Sequence, residues 1–135
     1  MPELPEVETI KNVITPIFVG NILTKIEVLN PNTIEGDEKA FVRALGGQKV
    51  VDITRKGKYL IFHLTNNLVF LSHLRMEGKY FEYNESEKNS PYVKVVFHLS
   101  NNKKVCYDDS RGFGKMKIKT EEQVLQSYKL IFKND

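Results

Sequence analysis

The chain has 135 residues, of which 41% are apolar and 27% charged, and its net charge is +3 at pH 7. A chain of this length forms one domain and buries roughly two-thirds of its unfolded surface, which excludes a disordered or collagen-like protein. No apolar run approaches the ~18 residues that a membrane span needs. The acidic start, MPELPEVETI, lacks the apolar segment of a signal peptide, so we expect a cytoplasmic protein.

The distribution of charge is more informative than its sum. Residues 51–79 carry five basic side chains against two acidic ones, and residues 100–120 carry six against two. On charge alone, a solvated lysine-rich face is the simpler interpretation, and a nucleic-acid surface is the alternative. The single cysteine, Cys106, permits neither an internal disulfide nor a multi-cysteine zinc site, so we expect no metal in this chain.

The N-terminal segment has the apolar periodicity of an amphipathic helix. Apolar residues recur at every third or fourth position, as they do on one helical face; they are Leu4, Val7, Ile10, Ile14 and Ile17. We predict a helix over residues 3–17. Pro5 suits its first turn, where a missing N–H is tolerated, and Pro16 and Gly20 mark its end.

The rest of the chain predicts two short helices and eight strands. The helices are placed at residues 37–45 and 121–129, the second with Thr120 as its N-cap. Runs rich in Val, Ile, Tyr and Phe predict strands over residues 22–29, 49–53, 59–64, 68–73, 79–83, 92–99, 104–107 and 115–119. Residues 65–67 and 100–102 are predicted hairpin turns, because Asn tolerates positive φ. The predicted fold class is mainly β with flanking helices: an antiparallel two-layer β-sandwich with an N-terminal amphipathic helix.

The N-terminus itself is a candidate nucleophile. Removal of Met1 leaves Pro2 with a secondary amine, whose pKa lies near the ~8 of an ordinary α-amino group. Such an amine can attack an aldehyde carbon and form an iminium ion, and the carboxyl groups of Glu3 and Glu6 lie close enough in sequence to move protons. The ordinary alternative is that Met-Pro is a common start and Pro5 a helix starter.

Three further segments place basic or aromatic side chains in turns. Residues 55–58, Arg-Lys-Gly-Lys, open a strand and can hold a phosphate, or are simply surface charge. His73 can donate to a phosphate and Met76 can wedge into a base stack, although a satisfied histidine and a core methionine are the ordinary interpretation. In the stretch DSRGFG, Arg111 can read a base edge and Phe113 can enter a stack. The same stretch also suits a tight hairpin pinned by an Asp–Arg pair.

Four motifs, in this order, carry a resemblance that spans essentially the whole chain: MPELPEVETI, RKGKYLIF, SHLRMEGKY and DDSRGFG. Together they closely resemble the N-terminal domain of bacterial formamidopyrimidine-DNA glycosylase, also called 8-oxoguanine DNA glycosylase. Leu4 favours this branch over the related endonuclease VIII branch, whose opening typically has Gly at that position.

The resemblance implies a bifunctional glycosylase and abasic-site lyase that acts through a Schiff base and β,δ-elimination. Pro2 would attack C1′ of the damaged nucleotide, Glu3 would act as acid and base on the sugar, and Glu6 would order the site. Lys58 matches a lysine that contacts a phosphate near the lesion. No organic cofactor is implied, because the iminium is the electron sink.

The resemblance also implies a set of side chains that contact DNA. His73 matches a phosphate-contacting histidine. Met76 and Arg111 match residues that fill the space of the flipped base, Arg111 facing the orphaned cytosine, and Phe113 matches a wedge beside it. Arg55 and Lys56 extend the basic cluster at Lys58. The implied partner is double-stranded DNA that contains oxidised purines or abasic sites, bound by a monomer in the bacterial cytoplasm at the nucleoid.

Two segments depart from the family pattern. Family members often have a Lys-His-Asp-His-like stretch where this chain has Asn89-Ser90-Pro91-Tyr92. The family's Asp-Pro-Arg-Arg/Lys-Phe-Gly reads Asp109-Ser110-Arg111-Gly112-Phe113-Gly114 here. Complete members continue into a helix-two-turn-helix domain and a zinc finger that holds one zinc ion, so we interpret residues 1–135 as the N-terminal catalytic domain alone.

Other classes of protein remain as alternatives. An endonuclease VIII-like glycosylase would act on oxidised pyrimidines, and a non-catalytic DNA-binding domain would keep the basic segments without needing a free Pro2. A tautomerase also uses an N-terminal proline, but it runs from that proline straight into a strand. A purely structural β-sandwich would not bind DNA in a salt-dependent way.

Overall fold

The structure, a computed structural model, describes residues 4–132 and places eight strands in two four-stranded antiparallel sheets. Sheet I has the order β1-β6-β7-β5, and sheet II has the order β2-β3-β4-β8. The strands are β1 (Leu23–Val28), β2 (Val50–Lys56), β3 (Tyr59–Leu64), β4 (Leu68–His73), β5 (Lys79–Asn84), β6 (Val93–Leu99), β7 (Lys103–Asp108) and β8 (Lys115–Thr120). The predicted fold class is confirmed.

Three α-helices and one short 3-10 helix flank the sheets: α1 (Leu4–Phe18), the 3-10 helix (Pro31–Thr33), α2 (Glu38–Leu45) and α3 (Glu121–Phe132). Helix α1 packs on β2, β3 and β5, so it touches both sheets, whereas α2 packs on β1. Helix α3 covers part of the outer face of sheet II, where Val124 packs on Ile61 and Val69. No helix in the described part of the chain is long and apolar enough to cross a membrane.

Stacked aromatic rings join the two sheets and α1 in one core. Phe62 and Phe70 are register partners in sheet II, and their rings stack at 4.2 Å with an interplanar angle of 8°. Phe70 in turn stacks on Phe97 of sheet I at 5.5 Å. Phe18, the last residue of α1, meets Phe62 and Phe97 edge-on at 5.2 and 5.8 Å. Such ring pairs stabilise a core beyond the apolar area they bury.

Local chemistry sets several element ends as predicted. Asn66 and Asn67 have φ of 63° and 59°, the paired positive values of a type I′ hairpin turn, and Asn102 has φ of 67° in the second predicted turn. Thr120 caps α3, as predicted. Its hydroxyl accepts from the Gln123 N–H at 3.1 Å while the Gln123 side chain accepts from the Thr120 N–H at 2.9 Å, which is a capping box.

Several boundaries differ from the prediction by one to three residues, and two of these differences have a clear cause in the structure. Helix α1 ends at Phe18, one residue beyond the predicted end, because the fully buried Phe18 ring stabilises the last turn against the cost of the N–H that Pro16 lacks. Strand β2 runs to Lys56 instead of ending at Ile53, since Lys56 pairs with Tyr59 across a two-residue turn. Gly57 has φ of 59° there, the positive value that the first central residue of a type II′ turn requires. The 3-10 helix was not predicted.

The reactivity of the Cys106 thiol is a measure of the packing of sheet I. Cys106 is fully buried, and burial raises the pKa of its thiol to about 11. Because the thiolate is the reactive form, about one thiol in a thousand is ionised at pH 8. We expect a thiol reagent such as an aromatic disulfide to label native protein far more slowly than protein in denaturant. Rapid labelling of the native chain would contradict the burial of β7.

Candidate nucleic-acid interface and catalytic site

One end of sheet II gathers the segments that the sequence analysis singled out. The register pairs Lys56 with Tyr59, Tyr59 with His73, and His73 with Lys115. Directly paired residues point to the same face, so these four side chains form one row across the outer face of the sheet. The β2–β3 turn, the end of β4 and the start of β8 therefore lie side by side.

Helix α1 is tied to the same end through Arg55. The Arg55 guanidinium donates to the Glu8 carboxylate at 2.6 Å and to the Gly57 carbonyl at 2.9 Å. Hydrogen bonds from Lys11 and then from Arg55 lower the pKa of Glu8. The predicted DNA-binding role of Arg55 stays a prediction, and the structure adds that this side chain links α1 to the β2–β3 hairpin.

The first turn of α1 borders a cavity of about 440 Å³ between that helix and β5. Its wall includes Pro5, Glu6 and Ile10 from the helix, and Lys79 and Phe81 from β5. Because β5 begins directly after the SHLRMEG motif, the start of α1 lies near that motif. Pro2 and Glu3 are outside the described residues, so the predicted nucleophile and its acid/base stay predictions. Lys58, which the structure places in the β2–β3 turn, is likewise a predicted phosphate contact.

Residues 74–78, here called loop A, follow β4 and present Met76. Leu74 is buried and its carbonyl accepts from the Gly78 N–H at 3.0 Å, which closes the loop. Arg75 has φ of 58°, an uncommon value for a residue other than glycine. Met76 is 45% exposed, so its apolar side chain is held at the surface and not in the core.

Residues 109–114, here called loop B, fold around the buried carboxylate of Asp109. That carboxylate accepts from the N–H groups of Gly112 and Gly114 at 3.0 and 2.8 Å, and from the Tyr107 hydroxyl at 3.1 Å. Arg111 and Phe113 are both exposed. Arg111 pairs with Glu77 of loop A at 3.9 Å. The alternative of a hairpin pinned by an Asp–Arg pair is therefore wrong, because Asp109 binds backbone N–H groups.

The imidazole of His73 lies in an unusual environment. Burial, followed by the positive charges of Arg75 and Lys58, lowers the pKa of His73, and Glu35 opposes this effect. Its Nδ1 is buried and has no hydrogen-bond partner among residues 4–132. The Tyr59 ring lies edge-on to the imidazole at 4.7 Å between centroids. The neutral ring is the favoured form at neutral pH.

The arrangement has counterparts in known proteins. Residues 1–116 match the family described as the formamidopyrimidine-DNA glycosylase N-terminal domain. The chain belongs to this family. Formamidopyrimidine-DNA glycosylase from Lactiplantibacillus plantarum is 41% identical over 87% of this chain and 43% of its own length. The enzyme of the same name from Bacillus subtilis is 39% identical over the same shares.

Solved structures of Lactococcus lactis Fpg show the same fold. Its complex with DNA that contains an abasic site superimposes with a TM-score of 0.90 and 31% identity, over 94% of this chain and 47% of that one. A complex with Fapy-dG-containing DNA has a TM-score of 0.89 at the same identity. The chain spans less than half the length of the formamidopyrimidine-DNA glycosylases that it matches.

The segment of residues 89–92 makes hydrogen bonds to the start of loop B that the family resemblance did not predict. Ser90, in the segment that departs from the glycosylase pattern, donates to the Asp108 carboxylate at 2.7 Å, and the Asp109 N–H donates to the Tyr92 carbonyl at 3.0 Å. This segment therefore fastens the base of loop B. The described residues hold no group of three or more His, Cys, Asp or Glu side chains that could bind a metal.

Removal of the Asp109 carboxylate should destabilise the domain. We expect Asp109→Ala to lower the free energy of unfolding by about 2–4 kcal/mol, because it leaves two backbone N–H groups and one buried hydroxyl without an acceptor. Asp108→Ala is the matched control, since it loses one contact at a half-buried site. Urea unfolding of both variants measures the difference, and equal losses would contradict the role assigned to Asp109.

The lowered pKa of His73 predicts a pH-dependent stability. In the unfolded chain the pKa returns to about 6.5, so the unfolded state binds more protons between the folded-state pKa and 6.5. The free energy of unfolding should therefore fall as the pH drops below 6.5. Urea unfolding between pH 5 and 8 should show a smaller loss in His73→Gln. If the free energy of unfolding of His73→Gln depends on pH as steeply as that of the wild type, His73 is not the group responsible.

Proposed function

We propose that the protein is a base-excision repair enzyme, a DNA glycosylase and abasic-site lyase that removes oxidised purines through the N-terminal amine of Pro2. The observation that carries the proposal is the convergence of loop A, loop B and the β2–β3 turn at one end of sheet II, with the start of α1 beside them. The structural relatives in complex with abasic-site and Fapy-dG DNA support this assignment of the partner.

The proposed chemistry uses the N-terminal amine as nucleophile and electron sink. The Pro2 nitrogen bonds to C1′ as the glycosidic bond breaks, and the base leaves with that electron pair and a proton. Glu3 assists proton transfer as the sugar ring opens. The resulting iminium acidifies the C2′–H bond, so β-elimination expels the 3′ phosphate, and a second, δ-elimination expels the 5′ phosphate. Glu6, on the first turn of α1, is proposed to order this site.

The exposed side chains of the two loops would stabilise the flipped state of DNA. Extrusion of a nucleotide costs a few kcal/mol, which side chains inserted into the vacated space can offset. The side chains of Met76 and Phe113 are apolar and about half exposed. The side chain of Arg111 is an exposed cation. We propose that Met76 and Arg111 fill the gap and that Phe113 wedges the neighbouring step.

Two lysines and the neutral imidazole of His73 would hold the phosphates. Lys56 ends β2 and Lys58 lies in the β2–β3 turn, and His73 lies in the same cross-strand row as Lys56. We propose that they bind the backbone near the lesion, with affinity that falls as salt rises. Since the chain has one cysteine, a four-cysteine zinc finger would require residues beyond these 135. We propose that the enzyme acts as a monomer at the bacterial nucleoid.

Borohydride trapping tests the role of Pro2. The chain with Met1 removed is incubated with a duplex that has one abasic site, reduced, digested and examined by mass spectrometry. We expect the adduct on the N-terminal nitrogen of Pro2. The matched control retains the same sequence behind two added residues, which moves the amine away from Pro2, and it should lose at least about 99% of trapping, as expected for a missing nucleophile. An adduct on a lysine, or undiminished trapping by the extended chain, would overturn the assignment.

A further inference from the structure

Tyr107 occupies the space between loops A and B. It lies near the end of β7, is fully buried, and packs its ring against that of Tyr80 at 5.2 Å. A Cβ atom added to Gly78 of loop A would lie 2.5 Å from the Tyr107 hydroxyl oxygen. A Cβ atom added to Gly114 of loop B would lie 1.7 Å from it. Both loops therefore pass the same hydroxyl at a distance that only glycine permits.

The hydroxyl is also bonded into loop B. It donates to Asp109, whose carboxylate accepts from Gly112 and Gly114 as well. Burial, followed by the neighbouring Tyr80 and Asp109, raises the pKa of Tyr107. The group therefore keeps its proton and remains a hydrogen-bond donor throughout the physiological pH range. One buried hydroxyl thus fixes the backbone of loop B and limits the approach of loop A.

The surface link between the loops is weaker than this buried one. Arg111 and Glu77 are 3.9 Å apart and their side chains are 56% and 39% exposed. An exposed ion pair of this kind contributes little and is screened by salt. The contact of Tyr107 with both loops is buried, so salt screens it less than this ion pair.

We propose that Tyr107 is a positioning residue: its hydroxyl is hydrogen-bonded to Asp109 of loop B and packs against Gly78 of loop A, so that Met76, Arg111 and Phe113 meet DNA in a fixed mutual arrangement. The use of this arrangement in DNA rests on the proposed function. The contact of the Tyr107 hydroxyl with both loops, here called the pin, is a property of the free protein.

Amide hydrogen exchange of the free chain tests the pin. Tyr107→Phe removes the hydroxyl and keeps the ring. We expect exchange of the Gly112 and Gly114 N–H groups, which donate to Asp109, to accelerate on the order of fivefold or more, the scale of one net hydrogen bond. Exchange of the Gly78 N–H, which closes loop A beside the hydroxyl, should accelerate with them. The matched control is Tyr80→Phe, which removes a buried hydroxyl that bonds to Ser72 of β4 at 2.6 Å. Unchanged exchange in Tyr107→Phe, or equal acceleration in both variants, would overturn the proposal.

DNA binding tests the use of the pin. Affinities are measured for a duplex with a tetrahydrofuran abasic-site analogue and for the same duplex undamaged. We expect Tyr107→Phe to lower the preference for the analogue about fivefold, with little change for undamaged DNA, because the phosphate contacts remain. Tyr80→Phe should keep the preference.

The outcomes separate the two proposals. A wild-type chain without any preference for the analogue would contradict the proposed function, whereas the exchange comparison would still decide whether the pin exists. A wild-type preference that Tyr107→Phe retains in full would overturn the positioning role and leave the proposed function intact.

Discussion

The antiparallel register of sheet II is the constraint on which the candidate site depends. Because Lys56, Tyr59, His73 and Lys115 lie in one cross-strand row, three segments far apart in sequence emerge at one end of the sandwich. A shift of one residue in any pair would turn the facing side chains into the core. The stacked rings of Phe62, Phe70 and Phe97 oppose such a shift, since each pairs with its neighbour at one register only. The aromatic core therefore also aligns the loops.

A second constraint acts within the loops, where buried polar groups take the place of a regular hydrogen-bond ladder. A buried carboxylate is costly unless it is fully hydrogen-bonded, and Asp109 meets this condition only when loop B closes around it. Opening the loop would break the hydrogen bonds from the Gly112 and Gly114 N–H groups to the carboxylate. The polar network is thus specific for one loop conformation, and it leaves Arg111 and Phe113 to face outward. Their exposure is a consequence of what lies buried beneath them.

The features that sequence predicts well are those with a local cause. The Asn66-Asn67 turn, the Thr120 cap and the helical face of α1 each follow from residues within a few positions of one another. The position of Tyr107 does not, since its neighbours Gly78 and Gly114 lie on two separate loops and are ordinary turn residues in sequence. Likewise, the end of α1 at Phe18, one residue beyond the predicted end, depends on the rings that β3, β5 and β6 place around Phe18. The resemblance to the glycosylase family predicts the contacts of Met76, Arg111 and Phe113, whereas the buried residues beneath the two loops could be found only from the fold.

The departures of loop B from the family pattern fit the same division of roles. A proline after the aspartate would stiffen the loop by restricting φ, and this chain has Ser110 there. Gly112, which replaces a basic residue, has φ of 72° and donates its N–H to Asp109. Glycine adopts this positive φ without strain, so the hydrogen bond to Asp109 forms in an unstrained loop. Ser90 and Tyr92 add further bonds at its base through Asp108 and the Asp109 backbone. Relative to the family pattern, loop B lacks one positive charge at the surface. Arg111 and Phe113 nevertheless remain exposed, because the contacts of Asp109 beneath them hold the loop.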